Sequence, residues 1–154
     1  FPTEQTGEVG EILSELGCEY GTTTGRKRRC GWFDAVLLRY AVRVNGLTSI
    51  TLTKLDVLSQ LASIKICTGY EYEGKVYEEF PSHQTIFHKC NPIYEELEGW
   101  QQDISNIKNY AALPTAAKRY IARISELAEV PIEIISVGPK RTQTIQQHST
   151  NVEL

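Results

Sequence analysis

The sequence lacks a long apolar run and an excess of positive charge, and each absence excludes a class of protein. No segment approaches the ~18–20 consecutive apolar residues that a membrane helix needs. The first residues, FPTEQTGEVGE, have neither the basic head nor the apolar stretch of a signal peptide. We expect them to lie within a longer chain. The net charge of −3 gives no general attraction to nucleic acid. We therefore expect no membrane and no nucleic acid among the partners.

Cysteine is scarce, and its spacing excludes two kinds of site. The four cysteines, Cys18, Cys30, Cys67 and Cys90, lie far apart and form no C-x-x-C pair. A zinc site or a disulfide framework is therefore not expected. Isolated, partly buried thiols are typical of a reducing cytoplasm, so we expect a cytoplasmic protein.

Hydrophobic periodicity predicts a mixed α/β fold. The 41% hydrophobic and 23% charged content is ordinary for a folded domain. Helices are predicted at 8–16, from a cap at Asp34 to 45, and at 115–129 after Pro114. Strands are predicted at 47–53, 64–72, 75–80, 93–97 and 131–136, with a hairpin turn at Glu73 and Gly74. We expect a mixed sheet with flanking helices, one region at 1–144 without a linker, and a frayed polar tail at 145–154.

A run of hydroxyl and basic residues is the first candidate site. In order it contains Thr22, Thr23, Thr24, Gly25, Arg26, Lys27, Arg28 and Arg29. The glycine lets the backbone turn tightly, the hydroxyls donate hydrogen bonds, and guanidinium groups pair with carboxylate or phosphate through two parallel bonds. The run therefore predicts a loop that binds small anions. A solvated basic run or a nuclear-import signal is the alternative.

A second candidate site follows a predicted strand. Lys54, Leu55 and Asp56 form a K-x-D sequence of the kind that small GTPases place at a strand end to recognise guanine. The carboxylate accepts hydrogen bonds from N1–H and the exocyclic amine, two adjacent donors that adenine does not offer. On its own K-x-D is a weak signal, and a solvated turn after a strand is the more common explanation of such residues.

A third candidate site, Ser136, Val137 and Gly138, follows the last predicted strand. Ligands of open α/β sheets collect at the carboxyl ends of strands, where a turn of small residues can offer backbone N–H groups to a base carbonyl. Taken singly, this is an ordinary turn between a strand and a loop.

The three sites together resemble one enzyme family. The run TTTGRKRRCGWFDAVLLRYAVRVNGLTSITLTKLDVL resembles the aspartate loop and guanine-recognition region of adenylosuccinate synthetases. The resemblance extends through IKICTGYEYEG, YEELEGW, LPTAAKRYI and IISVGPKRTQTI. It implies the C-terminal part of a synthetase with a P-loop-NTPase-like fold. That family joins IMP to L-aspartate at the expense of GTP, through a 6-phosphoryl-IMP intermediate in AMP biosynthesis.

The resemblance also implies a role for each site. The loop from Thr22 to Arg28 would close over aspartate, Arg26 would reach the IMP ribose, and Arg28 would contact the GTP side. The guanine site would contain Lys54, Leu55, Asp56, Ser136, Val137 and Gly138. The family further implies a homodimer and Mg²⁺ as cofactor in the full-length enzyme.

The chemistry of the family is not all present in this chain. Its glycine-rich phosphate loop, its catalytic Asp and its catalytic His precede this region in the family, and no G-x-x-x-x-G-K-[ST] sequence occurs here. His83, His88 and His148 match no catalytic position and are predicted to lie on the surface. We therefore expect no catalytic residue and no metal ligand in the chain, which by itself would be inactive.

Two further points bear on this interpretation. Glu98 stands where the family usually has Pro in a Y-E-x-L-P-G-W turn, and we expect it to loosen that turn without affecting the substrate loop. The alternative function is a non-enzymatic guanine-nucleotide-binding or regulatory module that uses Lys54 and Asp56. A nucleic-acid binder that uses Arg26 to Arg29 is disfavoured by the negative net charge and the lack of an aromatic stacking surface.

Overall fold

The computed structural model describes residues 1–147 of the chain. His148, and with it most of the predicted polar tail, lies outside the described residues. The described residues form two compact units. Unit 1 contains Phe1–Tyr40 and Ser63–Leu97, and unit 2 contains Ala41–Ala62 and the segment from Glu98 onward. The chain changes unit three times: inside the helix Ala35–Asn45, between Ala62 and Ser63 at the start of a strand, and at the end of the strand Asn91–Glu98.

Four helices and seven strands are formed by the described residues. In chain order they are α1 (Glu8–Leu16), β1 (Phe33–Asp34), α2 (Ala35–Asn45), β2 (Ile50–Leu52), β3 (Ser63–Tyr72), β4 (Lys75–Tyr77), α3 (Gln84–Lys89), β5 (Asn91–Glu98), α4 (Thr115–Ala128), β6 (Ile132–Ser136) and β7 (Thr144–Gln146). Two 3-10 helices lie at Leu55–Gln60 and Tyr110–Ala112. No helix within residues 1–147 is long and apolar enough to cross a membrane.

Unit 1 contains a mixed sheet built around the long strand β3. This strand pairs in parallel with β1 and antiparallel with β4, and β5 also pairs with it. The hairpin between β3 and β4 turns at Glu73 and Gly74, both at positive φ (50° and 77°), as a tight two-residue turn requires. Asp34 caps α2, because its Oδ1 accepts a hydrogen bond from the backbone N of Leu37 at 3.0 Å.

The core of unit 1 contains an aromatic cluster and two of the cysteines. Cys67, Tyr70 and Cys90 are buried together with Val36, and Phe87 packs against them. Burial raises the pKa of the Cys67 thiol to about 12, so this thiol is unreactive at neutral pH. All four cysteines are free thiols, as expected, although Cys18 is exposed rather than partly buried.

Unit 2 contains a smaller mixed sheet. Strand β6 pairs in parallel with β2 and antiparallel with β7. Helix α4 has an apolar face at the helical spacing predicted from the sequence, with Ala117, Tyr120, Ile121, Ile124 and Ala128 buried. Glu129 ends the helix at a φ of 59°, one residue after the last helical position.

The structure corrects four expectations about the elements. The strands predicted at 47–53 and 75–80 are both shorter, Ile50–Leu52 and Lys75–Tyr77. Helix α3 was not predicted, because its six residues are too few to show a helical period. The tail was expected to fray after Thr144, but Ile145 is buried and pairs with Ile135 in the β6–β7 ladder. A single apolar residue between polar neighbours gives no strand signal, so only the pairing with β6 identifies β7.

Candidate functional site

The loop of the first candidate site stands on a short antiparallel neck, formed by residues 19–21 and 26–28. The backbone N of Arg28 donates to the carbonyl oxygen of Glu19 at 2.8 Å. The backbone N of Gly21 donates to the carbonyl oxygen of Arg26, also at 2.8 Å. The predicted loop is therefore a closed turn that projects from unit 1.

Gly25 makes the turn of the loop possible, as the sequence predicts. Its φ is +64°, a conformation that is strained for a residue with a side chain. Its backbone N donates to the carbonyl oxygen of Gly21 at 2.8 Å. The hydroxyl of Thr24 accepts a hydrogen bond from the backbone N of Arg26 at 3.3 Å, so one of the three threonines stabilises the turn itself.

The basic side chains of the loop are exposed, and two of them have glutamate partners. Every residue from Thr22 to Arg29 is exposed. Arg28 donates from Nη1 to Glu19 Oε2 at 3.1 Å. Arg29 pairs with both carboxylate oxygens of Glu4, with Nε at 2.7 Å from Oε1. This double hydrogen bond lowers the pKa of Glu4. Sequence reasoning missed both glutamates, because their contacts depend on the fold.

The second candidate site begins at a backbone turn after β2. Lys54 has a φ of 59°, in the left-handed region, and the 3-10 helix starts at the next residue. Leu55 is buried, whereas Asp56 is half-buried. The Oδ1 atom of Asp56 is buried and accepts no hydrogen bond from the described residues. Burial raises the pKa of this carboxyl. A hydrogen bond from the backbone N–H of Asp56 itself and the nearby charge of Lys54 partly oppose that effect.

The third candidate site is a compact turn at the end of β6. Ser136 donates from Oγ to the carbonyl oxygen of Gly138 at 2.9 Å. Val137 is buried, and its backbone N donates to the carbonyl oxygen of Gln143 at 2.9 Å. A Cβ on Gly138 would lie 2.5 Å from the side-chain amide of Gln143, so a larger residue there would displace that side chain. Gln143 supports the turn and was not identified from the sequence.

The structure brings the second and third candidate sites to the same edge of one sheet. Strands β2 and β6 are parallel neighbours, and Leu52 pairs with Ile135. The chain therefore leaves both strands at their carboxyl ends side by side, where ligands of α/β sheets bind. The loop of the first candidate site belongs to unit 1, and these two turns belong to unit 2.

Histidines and acidic residues are the remaining candidate groups within residues 1–147. His83 and His88 are exposed, as predicted, and His83 caps α3 by accepting from the backbone N of Thr85 at 3.3 Å. Across residues 1–147, no group of three or more His, Cys, Asp or Glu side chains is arranged to bind a metal ion.

Comparison with known proteins identifies relatives over nearly the whole chain. The family model described as adenylosuccinate synthetase matches residues 1–145. The adenylosuccinate synthetases of Trichlorobacter lovleyi and Geotalea uraniireducens are 56% and 57% identical over 145 residues, which cover 94% of this chain and 34% of each relative. The chain thus spans about a third of the length of these relatives.

A solved structure agrees with the sequence match. The fully ligated adenylosuccinate synthetase from Plasmodium falciparum superposes with a TM-score of 0.91 at 41% identity, over 96% of this chain and 36% of that one. The match confirms the expected mixed α/β, P-loop-NTPase-like fold. The expected place of the chain at the C-terminal end of the enzyme is not confirmed. Sequence and structure together show that the chain belongs to the adenylosuccinate synthetase family.

Proposed function

We propose that the chain supplies the aspartate loop and the guanine site of a GTP-dependent ligase that forms adenylosuccinate from IMP and L-aspartate. The observation that carries the proposal is the carboxylate of Asp56. Its Oδ1 is buried without a hydrogen-bond donor among the described residues, and burial raises its pKa. A buried acceptor without a partner costs free energy, so its presence favours a role in binding a donor group.

Guanine has the donors that this position lacks. The N1–H and exocyclic amine of the base would both donate to the Asp56 carboxylate. The adjacent turn from Ser136 to Gly138 would supply the donor for the base carbonyl. Because the N–H of Val137 is already bonded to Gln143, that donor would come from Ser136 or Gly138. Leu55 is buried, so it would contact the base through its backbone, and the stem of Lys54 would lie along the ring.

The exposed loop fits the other substrates. Arg28 and Arg26 carry planar guanidinium groups that match a carboxylate or a phosphate, and Thr22, Thr23, Thr24, Gly25 and Lys27 complete the loop that would close over aspartate. Arg26 would also reach the IMP ribose, and Arg28 the GTP side. Phosphoryl transfer, with Mg²⁺ as cofactor, would use residues elsewhere in a full-length, cytoplasmic, homodimeric enzyme.

Base recognition tests the proposal most directly. In the full-length enzyme, Asp56→Asn is expected to weaken GTP relative to xanthosine triphosphate. Xanthine replaces the exocyclic amine with a carbonyl, which repels a carboxylate but accepts from an amide. An unsatisfied buried group costs about 1–3 kcal/mol, so the ratio of kcat/KM for the two nucleotides should change roughly tenfold to a hundredfold.

A neighbouring aspartate provides the matched control. Asp103 lies near Asp56, but its Oδ1 accepts from the backbone N of Ser105 at 2.8 Å. Asp103→Asn makes the same chemical change and should leave the nucleotide ratio unaltered. If Asp56→Asn also left the ratio unaltered in a folded, active enzyme, Asp56 would not recognise the base.

The reading frame around this segment separates the ligase from a non-enzymatic nucleotide-binding module. A glycine-rich phosphate loop and a catalytic histidine encoded in the same frame support the ligase. Their position also locates the segment: upstream of Phe1 they make it the C-terminal part of the enzyme, and downstream of Leu154 the N-terminal part. A frame that encodes neither favours the module.

A further inference from the structure

A carboxylate at the neck of the aspartate loop contacts the guanidinium to which we assign substrate binding. Glu19 Oε2 accepts from Arg28 Nη1 at 3.1 Å. The same two residues are joined through their main chains, because Arg28 N donates to Glu19 O at 2.8 Å. Glu19 and Arg28 therefore face each other across the neck and are connected twice.

The two partners differ in exposure. The side chain of Glu19 is 21% exposed, whereas that of Arg28 is 58% exposed. The acceptor thus lies against unit 1, and the guanidinium extends from it towards solvent. A guanidinium has five N–H donors in a rigid plane. The bond to Glu19 uses Nη1, so the edge formed by Nε and Nη2 keeps the geometry that pairs with a carboxylate or phosphate.

The neighbouring arginine shows a different arrangement. Arg29 engages Glu4 through Nε and Nη2, so its own bidentate edge is already used. Its guanidinium carbon also lies 5.2 Å from the centre of the Phe1 ring. The neck therefore orients two consecutive arginines differently: Arg28 keeps its bidentate edge for a ligand, and Arg29 uses that edge within the fold.

We propose that Glu19 is a positioning residue for Arg28, which orients the guanidinium so that its Nε and Nη2 edge meets the substrate carboxylate. This inference rests on the proposed function, because it requires Arg28 to bind substrate. Without the carboxylate, a long and exposed side chain would sample many rotamers and would lose more entropy on binding. The loss should affect the binding of aspartate more than the chemical step.

The first test compares two glutamate variants in the full-length enzyme. Glu19→Gln is expected to raise the KM for aspartate about twofold to fivefold, the range for an exposed ion pair, with little change in kcat. Glu4→Gln removes the same charge from the other ion pair at the neck and is expected to leave the KM for aspartate unchanged. A lower KM in Glu19→Gln would mean that Glu19 competes with the substrate, which would overturn the inference.

A double-mutant cycle shows whether Glu19 acts through Arg28. In an Arg28→Ala background, Glu19→Gln should change the KM for aspartate no further. An equal effect in both backgrounds would overturn the inference. An Arg28→Ala enzyme with an unaltered KM would instead refute the proposed role of the loop. Thermal unfolding establishes that each variant is folded. If Glu19→Gln does not fold, Glu19→Asp replaces it, because aspartate shortens the side chain but keeps its charge.

Discussion

At the scale of single residues, the chemistry depends on which atoms of a side chain are already bonded. Arg28 and Arg29 are identical in type and consecutive in sequence, but only Arg28 keeps the Nε and Nη2 edge for a ligand. Asp34 and Asp56 make the same point for carboxylates. Burial raises the pKa of both. Asp34 accepts from Tyr70 at 2.6 Å and caps a helix, whereas Asp56 Oδ1 has no donor within residues 1–147.

The planar fork of Arg28 gives the first residue-scale prediction. In the full-length enzyme, Arg28→Leu should raise the KM for aspartate and slow turnover, because a charged, bidentate pair is lost. Such pairs are worth about 2–5 kcal/mol once desolvated. Arg28→Lys should recover little, because a point charge does not reproduce two parallel hydrogen bonds. Steady-state kinetics with aspartate varied measure both effects. Wild-type kinetics for Arg28→Lys would rule out the carboxylate-binding role.

The raised pKa of Asp56 gives a prediction about stability. The folded state binds a proton on this group more readily than the unfolded state, so ionisation destabilises the fold. The contribution of protonated Asp56 to the free energy of unfolding is fully present below the pKa of this carboxyl in the unfolded state. It is lost as the pH rises through its pKa in the folded state. Asp56→Asn removes the ionisation. The variant should therefore unfold at the same or a higher temperature than the parent near neutral pH, and this advantage should disappear in acid.

A melting series across pH checks that expectation. If Asp56 were instead a capping residue of an ordinary turn, Asp56→Asn would lower the unfolding temperature at neutral pH. Asp103→Asn is the control, because a hydrogen bond from the backbone N of Ser105 lowers the pKa of Asp103. Asp103→Asn should therefore not raise the unfolding temperature at neutral pH.

At the scale of elements, local sequence signals predict the long segments and their caps. The helices at α1, α2 and α4 and the β3–β4 hairpin occur where periodicity, capping residues and turn residues place them. Short elements behave differently. Strands β1 and β7 contain two and three residues, too few for an alternating pattern, and they exist because β3 and β6 provide partners. Pairing energy, rather than local propensity, stabilises such elements.

Two glycines in the same backbone conformation test the role of the loop as an element. Gly25 has a φ of +64° and Gly46 a φ of +59°, and in both cases a Cβ would meet nothing within 4 Å. Alanine at either position should lower the free energy of unfolding by about 1–2 kcal/mol through backbone strain alone. Only Gly25→Ala should also raise the KM for aspartate, since Gly25 forms the tip of the substrate loop. Unfolding measurements and kinetics on both variants separate strain from function; equal kinetic effects would contradict the assignment.

At the scale of the whole molecule, this chain corresponds to one part of its relatives. It spans about a third of the length of its relatives and forms two compact units, each from two segments of the chain. Within residues 1–147 no cluster of side chains is arranged for a metal ion, and the two described histidines are exposed. The proposed sites would bind substrates, and the groups for phosphoryl transfer would come from the rest of a full-length enzyme.

The isolated chain should therefore have no synthetase activity. Loss of one well-placed catalytic group commonly slows a reaction by about 10²–10⁴-fold, and we expect several such groups to be absent from this chain. The measurement is adenylosuccinate formation from IMP, GTP, aspartate and Mg²⁺ by the purified chain. A rate near that of a full-length family member would show that the chain contains catalytic groups of its own.

Sequence alone determined the family and the mixed α/β class, because these depend on residue types at fixed spacing. For the candidate sites it gave predictions of the residues involved. It also determined the turn at Gly25, since few residues other than glycine adopt a positive φ without strain. It did not determine which end of the enzyme the chain represents. A motif identifies a family, but this segment by itself does not give the position of that motif in the full-length protein.

Only the tertiary structure decided how those residues are used. It brought Asp56 and Ser136 to one edge of a sheet, because β2 and β6 pair in parallel although about 80 residues separate them. It also gave Arg28 and Arg29 different glutamate partners, at sequence separations of 9 and 25 residues. Contacts between distant segments leave no periodic signal in a sequence. They exist because the chain buries its apolar residues in one particular arrangement.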